Sequence, residues 1–109
     1  MRIRISGKQV ELGQTLPIGV KARLEQAIAK HFDGNAQAHI VFSHDGPFFR
    51  ADCTVHLDSK TVLSAEGDGP DAHRAFDVAF AHIEKQLRRH KRKLKNHHPK
   101  VRVRPGAPA

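Results

Sequence analysis

Residues 38–57 read AHIVFSHDGPFFRADCTVHL. Ala38, Ile40 and Phe42 alternate with His39, Val41 and Ser43, and Ala51, Cys53, Val55 and Leu57 alternate with Arg50, Asp52, Thr54 and His56. Such period-two alternation marks strands with one face buried. Between the runs, His44-Asp45-Gly46-Pro47 has the composition of a chain reversal. Working outward, Asp58-Ser59-Lys60 makes a tight connection to a third run over Thr61–Glu66, which gives an antiparallel meander. Gly67-Asp68-Gly69-Pro70 is expected to close the sheet region, with Asp71 as the N-cap of the next element.

Upstream, Ile3 and Ile5 alternate with Arg2, Arg4 and Ser6, a further strand that ends at Gly7 and Lys8. Leu16, Val20, Leu24, Ala27, Ile28 and His31 then recur at three- and four-residue steps and predict a helix. Gly13 or Thr15 is the expected cap, Pro17 fits only the first turn, and Gly19 costs roughly 1 kcal/mol relative to alanine. Phe32-Asp33-Gly34-Asn35 is expected to stop it through a glycine and a turn-former. Downstream, Ala72, Phe76, Ala79, Phe80, Ile83, Leu87 and Leu94 form one apolar stripe from about residue 71 to 95. The order β-α-β-β-β-α predicts an α+β fold, a four-stranded mixed sheet with two helices packed on one face. If the first two strands lie parallel and side by side, their crossover is right-handed. Residues 1–96 are expected to form the domain, and 97–109, rich in His, Pro, Gly and alternating Val-Arg, a flexible basic tail or linker.

The 109 residues suit one domain, and the hydrophobic content of 39% leaves some of them for a segment outside the core. No apolar run approaches the roughly 20 residues that span a bilayer, and the alternating start MRIRISGKQV is no signal peptide. The single cysteine, Cys53, permits no internal disulfide, so a cytoplasmic location is the default and the thiol reads as an apolar filler.

Charge is the functional signal. Residues 1–84 carry nine basic and eleven acidic side chains, whereas residues 85–109 carry ten basic and no acidic ones, so the net +8 resides in the last quarter. With Ile83 and Leu87 pointing inward, Lys85, Arg88, Arg92 and Lys95 fall on the opposite side of the helix, Arg74 extends their line, and Arg89, Lys91 and Lys93 flank it. From Lys85 to Lys95 this ridge runs about 15 Å, several phosphate spacings of a nucleic-acid strand. A helix C-terminus attracts two or three cations through its dipole, and the seven between Lys85 and Lys95 exceed that need. An external polyanion, nucleic acid foremost, accounts for the excess. A membrane fits less well, because the apolar face is committed to the sheet. Arg23 and Lys30 share a flank of the first helix; spacing alone leaves open whether it adjoins the ridge. Arg2 and Arg4 mark the opposite sheet face and read as mainly solubilising.

No zinc-finger spacing, helix-turn-helix pair or aromatic stacking motif occurs, and the chain has neither Trp nor Tyr. Backbone charge and shape therefore drive the expected binding, and structured RNA suits it better than a chosen DNA sequence. Nine histidines, including His97-His98 beside the basic run, fall in no H-E-x-x-H or similar ligand arrangement, so no metal and no cofactor are expected. No Ser/His/Asp or Cys/His set is spaced for nucleophilic catalysis, and Gly67-Asp68-Gly69 lacks the length and lysine of a phosphate loop. Neither an enzymatic activity nor a small-molecule substrate is expected.

The opening MRIRISGKQVEL, the Phe32-Asp33 helix exit, the CTVHL strand, the SAEG turn into DAHRAFD and the ending IEKQLRRHKRKLKNHH together resemble the ribosome hibernation promoting factors, the family of ribosome-associated inhibitor A and the sigma-54 modulation proteins. The resemblance covers about residues 1–98 and is nearest to the N-terminal domain of the long form. It implies a fold like that of double-stranded RNA-binding domains. It also implies that the chain binds the small ribosomal subunit and its ribosomal RNA in the messenger and transfer RNA channel, silencing idle ribosomes in stationary phase. Carried over by position, the RNA-facing residues are Lys85, Arg88, Arg89, Arg92 and Lys93, with Arg23 and Lys30 on the first helix. Long members continue into a dimerising C-terminal domain that this chain is expected to lack, and KVRVRPGAPA looks like the start of the linker to it. The alternative is a general double-stranded RNA-binding module or RNA chaperone.

Overall fold

The computed structural model describes residues 1–58 and 60–96, with the backbone alone for 92–96. Ser59 and the expected tail, residues 97–109 with His97-His98, lie outside the described residues. The elements are β1 (Arg2–Gly7), α1 (Thr15–His31), β2 (Ala36–Asp45), β3 (Phe48–Leu57), β4 (Val62–Gly69) and α2 (Ala72–Asn96). The sheet order is β1-β2-β3-β4: β1 runs parallel to β2, and β2-β3-β4 is an antiparallel meander. This is the mixed sheet and the β-α-β-β-β-α order that the periodicities predict.

Alternation decides the inner face. Ala36, Ala38, Ile40 and Phe42 of β2 and Ala51, Cys53, Val55 and Leu57 of β3 are buried, and the register sets Ile40 opposite Cys53 and Phe42 opposite Ala51. Onto them pack Leu16, Val20, Leu24, Ala27 and Ile28 of α1 and Ala75, Phe76, Ala79, Ile83 and Leu87 of α2, in one continuous cluster. Both helices thus cover the same sheet face. Among the described residues no polar or charged residue is buried in this core. Cys53 is 1% exposed, and burial pushes its thiol pKa up to about 12, which fits the filler role.

Four local expectations are corrected. The N-cap of α1 is Gln14, not Gly13 or Thr15, and its side chain makes no capping bond; Gly13 precedes it with φ +71° and Thr15 is already helical. The helix stops because Phe32 turns extended (φ −144°, ψ 131°) while its N–H still bonds Ile28 O at 2.8 Å, without a left-handed glycine. The first hairpin narrows to Gly46-Pro47, with Gly46 at φ +62° in the first central position, where two-residue hairpin turns favour glycine. The largest change is at the sheet edge. Gly67 and Gly69 belong to β4 and pair with Ala51 and Phe49 instead of forming a turn. A Cβ on Gly67 would stand 2.5 Å from Ala79 N and 2.6 Å from Ala75 O, and one on Gly69 would stand 2.8 Å from Ala75 N. The glycines let the α2 backbone lie directly on the strand.

Asp71 caps α2 as expected: Arg74 N–H donates to Asp71 Oδ1 at 2.8 Å, and Ala75 N–H donates to Asp71 O at 3.0 Å. Among the described residues Leu87 is the last of α2 in the hydrophobic core, and the helix runs on to Asn96.

Candidate nucleic-acid interface

Lys85, Arg88, Arg89 and Lys91 are all exposed on α2, on the side away from Ile83 and Leu87 or flanking it. Arg92, Lys93 and Lys95 continue the same helix; their side chains lie outside the described residues. Arg74 is exposed too, but Val78 and Ala81 fill the outward line between it and Lys85, over about 16 Å of helix. It lies on that outward line, at a distance from the other cations of α2.

The first helix brings its cations alongside. Lys91 Nζ donates to Lys30 O at 3.3 Å, which joins the C-terminus of α1 to α2 beyond Leu87. A cation on a terminal helix carbonyl satisfies an orphan acceptor and the negative dipole end together. Lys30, Lys91 and Arg88 therefore converge around His31. Burial, with these three cations beside it and against a smaller pull from Glu84, holds the His31 imidazole below its ordinary pKa. His31 Nε2 and His90 Nε2 are buried at this junction without a hydrogen-bond partner, and His90 lies 6.2 Å from the Phe32 ring. The two basic flanks whose relation the spacing left open are thus one surface.

Two members of that surface are not free. Arg23 Nη1 meets Asp77 Oδ1 at 2.6 Å, and its Cζ lies 4.5 Å from the Phe80 ring centroid and 5.0 Å from that of Phe76. It ties α1 to α2 while half of its side chain stays exposed. Arg88 Nη1 lies 3.8 Å from Glu84 Oε1 one turn earlier, a long and exposed pair. Sequence reasoning treated the ridge as unopposed and missed both carboxylates. Glu84 stands just before the acid-free stretch, and Asp77 reaches Arg23 across 54 residues of chain, where no periodicity signals it.

The opposite sheet face differs in kind. Arg2 and Arg4 pair in register with Gln37 and His39 and point away from the helices, and Ser6 Oγ lies 3.2 Å from His39 Nε2. Arg50 is engaged by Asp52, at 3.2 Å, and by Glu66. With Asp68 on the same strand face, this side balances its charge locally. Among the described residues no group of three or more His, Cys, Asp or Glu is placed to hold a metal ion, and no helix is long and apolar enough to cross a membrane.

The fold and its surface define a small α+β domain with a cluster of cations where α1 and α2 meet. The chain belongs to the Sigma 54 modulation protein / S30EA ribosomal protein family, which it matches over residues 3–95. It is 44% identical over 98 residues to a ribosome hibernation promotion factor of Rhizobium meliloti, covering 90% of this chain and 52% of that protein. Identity to the protein of the same name from Bradyrhizobium diazoefficiens is 47% over 96 residues, 88% of this chain and 47% of the relative. The chain thus spans about half the length of these relatives. The Escherichia coli ribosome hibernation promoting factor is 29% identical over 97 residues, 89% of this chain and all of that one. Among solved structures, the N-terminal domain of Thermus thermophilus Protein Y superposes with a TM-score of 0.74 at 26% identity, covering 83% of this chain and 99% of that domain. A ribosomal subunit interface protein from Coxiella burnetii shares the fold at a TM-score of 0.73 and 20% identity, over 84% and 99% of the two chains.

Proposed function

We propose that this chain is a ribosome hibernation factor that binds ribosomal RNA of the small subunit in the channel used by messenger and transfer RNA, and that its occupancy inhibits translation in idle cells. The observation that carries the reading is the single cationic surface made by Lys30 of α1 and Lys85, Arg88, Arg89 and Lys91 of α2. The relatives named for ribosome hibernation support the same role. A cationic helix held along the sheet suits a channel lined by phosphates. Phosphate neutralisation supplies affinity without reading sequence. The protein acts by occupancy, with no catalytic step. In this reading residues 1–96 are the ribosome-binding unit and 97–109 a basic tail, and it works in the cytoplasm, where ribosomes are.

Competition on purified small subunits tests the proposal. Messenger RNA with a bound initiator transfer RNA should displace the protein, while added duplex RNA of equal mass should not. Equal displacement by the duplex would replace the channel reading with that of a general double-stranded RNA binder.

A further inference from the structure

The groove between α1 and α2 contains chemistry that phosphate binding does not use. It is lined by Arg23, Gln26, Ala27, Lys30, Phe80 and Glu84 and has a volume of about 240 Å³. Two carboxylates, Glu84 and Asp77, stand in or beside a surface otherwise suited to polyanions. A carboxylate there repels phosphate, so its presence calls for a ligand group that donates.

Arg23 is placed unusually for a phosphate contact. Its charge is largely answered by Asp77 at 2.6 Å, and one side of its guanidinium rests on Phe76 and Phe80. The rest of the group, with the side chain 47% exposed, is a flat, weakly hydrated surface fixed from beneath. Guanidinium planes of this kind stack unpaired RNA bases. Gln26 and Glu84 line the same groove and present an amide and a carboxylate to whatever edge lies between them. Arg88 approaches Glu84 only to 3.8 Å, so both carboxylate oxygens keep acceptor capacity.

We infer that this groove takes one unstacked RNA base, guanine by preference, stacked on Arg23 with its Watson–Crick edge toward Glu84. Guanine places two adjacent donors, N1–H and the N2 amine, on that edge, which matches a carboxylate in a two-bond arrangement. Uracil offers one donor between two acceptors, and adenine and cytosine offer a single amine beside an acceptor. Lys30 lines the same groove and supplies the cation for the phosphate next to the stacked base. The groove's volume, slightly below the ~300–1,000 Å³ usual for small-ligand pockets, suits one base. The inference rests on the RNA-binding reading and adds a base-selective position to it.

The test is fluorescence anisotropy with three labelled hexaribonucleotides: UUGUUU, UUAUUU, and the same hexamer with an abasic third position. The wild-type protein should prefer UUGUUU to the abasic strand about tenfold, within the usual range for one stacked base. Arg23→Lys keeps the charge facing Asp77 and removes the plane, so guanine and abasic strands should come within twofold of each other. Glu84→Gln should bring guanine to the level of adenine; the ratio is internal and insensitive to the charge gained. Melting curves of both variants establish that they are folded. A wild-type protein that binds the guanine and abasic strands equally overturns the inference. Co-sedimentation with small subunits is scored separately, so base selectivity without subunit binding would refute the ribosomal reading and leave the groove intact.

Discussion

Replacing Gly67 by alanine should loosen the contact that holds the cationic helix to the sheet. The added Cβ would stand 2.5 Å from Ala79 N, 2.6 Å from Ala75 O and 2.7 Å from Val78 Cβ. Ordinary carbon contacts lie near 3.5–4.0 Å, so α2 must retreat by about 1 Å. The obstacles are mainly backbone atoms of a helix whose next turns carry Phe76, Ala79 and Ile83 into the core, so no side-chain rotation relieves them. Overpacking of this kind costs about 1–3 kcal/mol, against about 0.4–1 kcal/mol gained from a less flexible unfolded chain. A net loss of about 1–2 kcal/mol lowers the melting temperature of a domain this size by about 4–15 °C. Gly19→Ala is the matched control. Gly19 lies inside α1, and a Cβ there meets nothing within 4 Å, so alanine should stabilise by about 0.5–1 kcal/mol. Thermal melts followed by circular dichroism compare the two. A Gly67→Ala protein that melts at or above the wild-type temperature would refute the close approach of α2 to β4.

Asp71→Ala removes the acceptor of the Arg74 N–H and should cost about 1 kcal/mol, read as a shift of the urea midpoint. The Cys53 thiol should react with an aromatic disulfide reagent at pH 8 only at the rate of unfolding. Its folded pKa is raised to about 12, so above pH 9 the unfolded chain loses a proton that the folded one keeps, and stability should fall with rising pH, a slope that Cys53→Ala removes. His31 is shifted the other way. Its folded pKa is lowered, so below about pH 6.5 the unfolded chain takes up a proton that the folded one resists. Stability of the free protein should therefore decline as pH falls through this range, and His31→Gln should flatten that decline in acid melts.

The sheet was legible because one-sided burial forces period two on β2 and β3, and the outer strand β1 shows the same alternation in Ile3 and Ile5. The helices were legible from apolar steps of three and four, and the Asp71 cap from its place before the stripe. The end of β4 was not, because a glycine gives the same local signal whether it permits a turn or the approach of a helix; only the position of Ala75 and Ala79 separates the two. For the interface, composition pointed to the outward cations of α2, since an acid-free run on an amphipathic helix has one place to go. It could not show that Lys30 adjoins Lys91, or that Arg23 is held by Asp77, Phe76 and Phe80, because those contacts depend on how two distant helices lie together.

Sedimentation of the protein with purified small ribosomal subunits across a salt series probes the cationic surface most directly. If about six phosphates are neutralised, affinity should fall by about a thousandfold or more between 50 and 200 mM salt. A folded Lys85→Glu/Arg89→Glu variant should bind more weakly and show a salt slope reduced by about two. A flat salt response, or a double variant that sediments like the wild type, would contradict the account.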